Sequence, residues 1–396
     1  MISVEEATAR IAGAFGRVEA ERIALRRGAG RVLAEDVRAR ADQPPDPVSS
    51  MDGYAVKAAD AAEPGATLNV VGAAPAGHPY GKVLRDGEAV RIFTGGVVPK
   101  GADSIVIQED AQAKDGAVTF TVAAIFHRHI RDAGLDFRTG EVLVAAGRRL
   151  TARDLALIAA GDVPEISVRR RPKVAIAATG DELSPPGSPR KPGGIVASSG
   201  FALAAMIERW GGEAIDLGII PDTADAVASI ADKAAGADLI LTVGGASVGD
   251  HDLVQKALGP RGFELDFWKI AMRPGKPLIF GKLGPTPLLG LPGNPVSTLV
   301  CAQLFLKPAL AALLGTPDEP SIVTATLASD LKQNDGRQDY IRAKVELRDG
   351  GRRAAPFSIQ DSSMMSVLAH ADGLIVRAPG APAAKTGDTV GVLLFE

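Results

Sequence analysis

Apolar and polar positions along this chain of 396 residues change rhythm several times, and each change marks a new kind of element. Residues 3–26 carry apolar side chains at helical spacing behind Ser3, with Glu6 three positions on. A hydroxyl followed by a carboxylate at that distance caps a first turn, so the spacing predicts a helix over 3–26. From about 41 to 146 the rhythm becomes short alternating runs broken by Gly, Pro and Asp. These predict strands at 67–71, 88–93, 104–108 and 118–122, and so a β-rich module over 41–145. Helical spacing returns at 150–160, which makes the module an insertion in a helical linking domain of 1–40 plus 146–170. After Pro172, strand-like and helix-like runs alternate: KVAIAATG, SGFALAAMIERWGG, EAIDLGII, TADAVASIADKAAG, DLILTV, PLLGL and PVSTLVCAQLFLKPAL. Alternation of this kind predicts a central parallel α/β sheet domain over 171–318, with helices on both faces. YIRAKVEL, GLIVRAP and TVGVLLF then predict a small C-terminal β barrel over 319–396. The expected fold class is therefore α/β multidomain.

Composition narrows the function more than the fold. The 44 basic and 47 acidic residues leave a net charge of −3, with no basic excess to attract nucleic acid. Cys301, the single cysteine, rules out an internal disulfide, and its apolar helical run reads as a small buried hydrophobe. None of the five histidines stands with it at zinc spacing. No apolar run approaches the roughly 18 residues of a membrane span, and the N-terminus has no leader-like pattern. A cytoplasmic protein without membrane or nucleic-acid partners is expected.

In an open α/β sheet, ligands bind beyond the carboxyl ends of the strands. Four strand ends here lead into Thr179-Gly180-Asp181-Glu182, into Pro221-Asp222, into Gly244-Gly245-Ala246-Ser247-Val248-Gly249 ahead of Asp250 and Asp252, and into Pro292-Gly293-Asn294-Pro295. A glycine turn between strand and helix lets backbone N–H groups approach an anion closely. Carboxylates beside it would repel a bare phosphate unless a divalent cation lay between them. The same residues also describe a tight turn with an Asp cap, and Asn294-Pro295 is a regular helix start. Three strand ends delivering carboxylates to one rim favour the metal-phosphate reading. The segment 269–277 holds three cations between prolines, so Arg273 and Lys276 are expected on a stiff loop suited to a small oxyanion, or else on a solvated one. In the β module, Asp52 and Thr94 stand beside turn glycines, a pattern common in any β domain.

Eight segments then appear in order: SSMDGYAV (49–56), RIFTGG (91–96), VPKGAD (98–103), TGDEL (179–183), GGASVGDHD (244–252), MRPGKP (272–277), LPGNPVS (291–297) and GRQDYIRA (336–343). With them the chain resembles the molybdopterin molybdenumtransferase family, which includes bacterial MoeA and the E domain of gephyrin. The resemblance implies Mg²⁺-dependent insertion of molybdate into adenylylated molybdopterin, giving molybdenum cofactor and AMP. It implies catalytic roles for Asp52, Thr94, Glu182, Asp222 and Asp252, with Glu182, Asp222 and Asp252 toward the metal. Substrate contacts are expected from Gly244, Gly245, Ser247, Gly249, Pro292, Gly293, Asn294, Pro295 and Ser297, and from Arg273, Lys276, Pro277, Arg337, Ser362 and Ser363. The chain departs from the family pattern at 46–50 and 198–201. Arg273 stands where Lys is frequent, and QDSSMMS lacks the glycines of the family's serine loop. The resemblance also implies a homodimer whose sites join the sheet domain of one protomer to the β module of the other. It further implies an upstream molybdopterin adenylyltransferase as partner. A gephyrin-like scaffold without turnover, a tungstate-inserting relative and an adenylyl-transferring one are the alternatives.

Overall fold

The computed structural model describes residues 1–244, 252–317, 321–348 and 350–395. Its contacts divide the chain into two compact units, Arg22–Val168 and Met1–Glu21 with Arg169–Glu396. The architecture is α/β multidomain, with a mostly parallel sheet domain and a closed C-terminal barrel.

The first helix, α1 (Val4–Gly13), starts as its sequence predicts, with Ser3 Oγ accepting from the Glu6 N–H at 3.0 Å. It stops well short of residue 26. The Glu6 carboxylate turns to Arg10 (2.7 Å), and Ala20–Ala24 is a strand. Ile23 is buried with Ile158, Ile166 and Val168, so tertiary packing overrides the helix propensity of this stretch. Helix α1 in turn buries Val4, Ala7 and Ile11 in the core of the sheet unit, not beside 146–170 as the sequence suggested.

In the smaller unit, β1 (Gly53–Val56), β2 (Thr67–Ala74), β3 (Glu88–Ile92), β4 (Ser104–Ile107), β5 (Ala111–Lys114) and β6 (Ala117–Phe120) form one sheet in the order β4-β1-β3-β2-β6-β5. Its two faces carry separate cores, Tyr54, Val106 and Phe120 on one and Ala55, Leu84 and Ile105 on the other. Helix α2 (Ala152–Ala160) opens with a reciprocal cap between Thr151 and Asp154.

The larger unit is built on β7 (Lys173–Thr179), β8 (Glu213–Ile220), β9 (Leu239–Val243), β10 (Phe263–Trp268), β12 (Ile279–Leu283) and β13 (Thr286–Leu291), in the order β8-β7-β9-β13-β12-β10. The first four are parallel, as the sequence predicts, while β12 runs against them and pairs antiparallel with both β13 and the edge strand β10. A two-residue turn with Gly284 at φ 58 joins β12 to β13 as a hairpin. Alternation places Leu239, Leu241 and Val243 on one face, under α1, α3 (Ser199–Arg209) and α5 (Pro295–Leu314), and Ile240 on the other. By length and composition α5 could span a membrane, contrary to expectation, yet 72% of its most apolar stretch is buried. Its apolar surface serves the core. Ala302–Leu306 widens to a π turn just before Pro308, which has no N–H to offer the carbonyl four residues earlier.

The barrel comprises β14 (Ile322–Leu327), β15 (Gln338–Arg348), β16 (Gly351–Pro356), β17 (Gly373–Arg377) and β18 (Thr389–Leu394). The ring β15-β16-β14-β18-β17 closes because the long β15 pairs with β16 along its C-terminal half and with β17 along its N-terminal half. A short strand, β11 (Met272–Arg273), pairs parallel with the start of β15.

Candidate active site

Strand β7 leads to neighbours on one side through β8, and β9 leads to the other side through β13, so their carboxyl ends diverge at a topological switch point. Gly180, just past β7, has φ 150, and a Cβ there would lie 2.5 Å from Glu182 Oε2. Only glycine leaves room for Glu182 to fold back over its own strand end. The Gly180 N–H donates to Ile220 O at 3.3 Å, and the Asp222 N–H donates to Asp181 Oδ1 at 3.2 Å. Asp181, Glu182 and Asp222 thus share a corner. Burial, and then the charges of Asp181 and Glu182, hold the Asp222 carboxyl above its ordinary range. Such crowding is relieved by a cation. Among the described residues no three His, Cys, Asp or Glu form a metal cage. Hard carboxylate oxygens nevertheless suit Mg²⁺, which needs one or two of them beside water and substrate phosphates.

The next strand ends adjoin this corner. The Gly244 N–H donates to Leu291 O (3.2 Å), and a Cβ on Gly244, at φ 94, would stand 2.5 Å from Thr179 O. Gly293 lies against Gly244. Gly245, Ser247 and Gly249 fall outside the described residues, as does the side chain of Asp252, where helix α4 (Asp252–Leu258) begins.

At the start of α5, Pro295 occupies the first turn and Asn294 is the N-cap, although its side chain makes no capping bond. Asn294 Nδ2 instead donates to Ser362 Oγ (3.0 Å), and the Val296 N–H donates to Ser362 O (3.1 Å). One of the N–H groups expected to face an anion is therefore taken by the chain itself. Ser363 donates to Asp361 Oδ1 through both N–H (2.8 Å) and Oγ (2.6 Å), which lowers the Asp361 carboxyl. Ser297 is buried behind this turn.

The cationic loop is partly a strand. Arg273 pairs with Asp339 and, at 3.5 Å, with Asp335, and Arg337 pairs with Asp335 at 2.7 Å. Both guanidinium groups are held by acids of the same chain. Lys276 and Pro277 are half-buried. A Cβ on Gly275, at φ 107, would meet Cys301 Sγ at 2.4 Å, so this turn rests on the buried thiol.

In the other unit, Asp52 and Thr94 are brought together by β1 and β3. Asp52 Oδ1 accepts from Thr94 N–H (2.7 Å) and Thr94 Oγ1 (2.8 Å), and these bonds hold its carboxyl below the usual range. Arg91 lies over the Tyr54 and Phe93 rings and donates to Gly53 O at 2.8 Å, which fixes the backbone beside Asp52.

Sequence reasoning passed over Arg342, Gln360 and Asp361. The signal for Arg342 was its parity: it shares with Tyr340 the face of β15 opposite the barrel core of Ile341, Ala343 and Val345, and it is 1% exposed.

The chain matches the MoeA N-terminal region (domain I and II) at residues 2–161, a probable molybdopterin binding domain at 175–312 and the MoeA C-terminal region (domain IV) at 324–395. A molybdopterin molybdenumtransferase of Haemophilus influenzae is 34% identical over 382 residues, 95% of this chain and 94% of that protein. One from Nostoc sp. is 38% identical over 332 residues, 81% of this chain and 76% of that protein. A solved molybdopterin biosynthesis moea protein from Pyrococcus horikosii has a TM-score of 0.88 at 31% identity, over 100% of this chain and 99% of that one.

Proposed function

Because the chain belongs to the MoeA family and so has a role in molybdenum cofactor biosynthesis, we propose that it is a Mg²⁺-dependent molybdenumtransferase. On this reading it inserts molybdate into adenylylated molybdopterin and releases AMP. The observation that carries the proposal is the acid corner of Asp181, Glu182 and Asp222, crowded enough to raise the Asp222 carboxyl, at the switch point where a phosphate-bearing ligand binds.

When bound, Mg²⁺ supplies positive charge to the adenylyl phosphate oxygens. Glu182 and Asp222 would hold it, with Asp252 assigned to the same set by resemblance. Gly180, Gly244 and Gly293 keep Cβ atoms out of the rim, so backbone comes close to the phosphate. Lys276, Pro277 and Ser297 are assigned to molybdate, with Ser362 and Ser363 closing that side from the barrel. Arg273 and Arg337 act at the edge of this region, their charges tempered by Asp335 and Asp339. Asp52 and Thr94 form a preset acid–hydroxyl pair that serves the sheet domain of a second protomer in a homodimer. An adenylyltransferase acting earlier supplies the nucleotide-bearing pterin, and the reaction runs in the cytoplasm.

The test is incubation of the purified protein with adenylylated molybdopterin, molybdate and Mg²⁺, followed by assay of AMP. Release that needs all three supports the reading. A folded protein that releases no AMP, or releases it equally after chelation of Mg²⁺, overturns it.

A further inference from the structure

Strand β15 buries a charge. Arg342 is among the largest side chains with almost no exposure, and burial presses on its guanidinium. Since arginine keeps its proton in proteins, the cost of burial has to be offset by hydrogen bonds. Gln360 supplies one of them and bonds the backbone around the arginine as well. Gln360 Oε1 accepts from the Arg342 N–H (3.0 Å) and from Arg342 Nε (3.1 Å). Gln360 Nε2 donates to Arg342 O (3.0 Å) and to Phe357 O (2.9 Å). Strand β16 ends at Pro356, opposite Ala343, and the next residue still donates, Phe357 N–H to Arg342 O at 3.1 Å, while the acceptor for the Arg342 N–H on that side is a side chain. The carboxamide oxygen supplies that acceptor and grips the guanidinium as well.

From there the bonds continue to the sheet. The second guanidinium nitrogen of Arg342 donates to Asp361 O at 2.8 Å, and Asp361 holds Ser363. Ser362, between them, meets Asn294 and Val296 at the first turn of α5. Gln360 is itself exposed and edges a cavity of about 380 Å³. Its replacement therefore leaves no hole in an apolar core.

We propose that Gln360 is a positioning residue. It locks Arg342 and the serine turn into one geometry, and so sets Ser362, Ser363 and the start of α5 for the oxyanion substrate. This rests on the molybdate-inserting reading above.

The experiment compares wild type with Gln360→Met, which keeps length and loses every hydrogen bond, and with Gln360→Glu, which keeps acceptors for Arg342 N–H and Nε. Two readouts are taken on the full chain: amide hydrogen exchange over 358–366, and the molybdate dependence of AMP release alongside the KM for adenylylated molybdopterin. Gln360→Met is expected to exchange faster over 358–366 with the sheet strands unchanged. Its half-saturating molybdate concentration should rise by about tenfold, the size of one lost charge-assisted bond, while the pterin KM stays. Gln360→Glu should restore most of both. An unchanged molybdate dependence in Gln360→Met overturns the proposal. So does a Glu variant as impaired as Met, or an equal rise of exchange in the sheet, which would make the role structural only. If wild type itself releases no AMP, the reaction assigned above fails, and unchanged exchange over 358–366 in Gln360→Met would separately sink the positioning role.

Discussion

At the scale of residues, Asp222 and Asp335 show opposite uses of a carboxylate. Burial, with Asp181 and Glu182 beside it, raises Asp222, so its ionised form works against folding at neutral pH. Asp222→Asn removes that charge. The variant is expected to melt at or above the wild-type temperature in a thermal scan while losing AMP release; full turnover would take Asp222 out of the mechanism. Asp335 runs the other way. The Arg337 side chain, by its hydrogen bond, holds Asp335 at about 2, below the roughly 3.9 of an unfolded chain. A depressed carboxylate stabilises the folded state in full above its unfolded value, and that contribution fades as pH falls toward the folded value. Asp335→Asn should therefore lower the melting temperature at pH 6, with the difference from wild type shrinking between pH 4 and 2, to the order of a pH unit. A difference that is constant with pH would assign the effect to packing.

Elements place those residues, and single positions at their ends decide how. Gly180 ends β7 with a φ that disfavours any side chain, and the atom in the way of a Cβ is the tip of Glu182. That tip is flexible, so Gly180→Ala should fold, at a cost of about 1 kcal/mol for the backbone, with Glu182 displaced. Activity should fall far more than stability does; equal activity in the Ala variant would show that Glu182 does not need its folded-back position. The cap of α2 serves as the contrast. Thr151 and Asp154 bond reciprocally at that helix start. Thr151→Ala is expected to cost about 1 kcal/mol in denaturant unfolding and to leave kcat and KM alone. Loss of turnover there would mean that the helix start communicates with chemistry.

For the whole molecule, the proposed homodimer makes a complementation test. Asp52→Ala and Glu182→Ala should each abolish activity as homodimers. The isolated heterodimer should regain about half the activity of wild type, because one of its two composite sites carries both native residues. A properly dimeric heterodimer as inactive as its parents would mean that Asp52 and Glu182 do not meet across protomers. What the sequence determined by itself was whatever is written in near neighbours. Strand alternation located β7, β8 and β9, Ser3 announced its helix, and glycines at 180, 244 and 293 marked the rim. Ordered motifs named the family. Tertiary structure alone decided that Ile23 lies in a strand, that β12 enters the sheet in the opposite direction between β13 and β10, and that Arg273 faces Asp335 and Asp339. It also decided that Ser362 bonds Asn294, 68 positions away, and that the Gln360 side chain supplies the acceptor for the Arg342 N–H. The physical reason is reach. Periodicity records which face of an element is apolar, over two to four residues. Which distant polar group meets which is settled only when burial forces each donor and acceptor to find a partner.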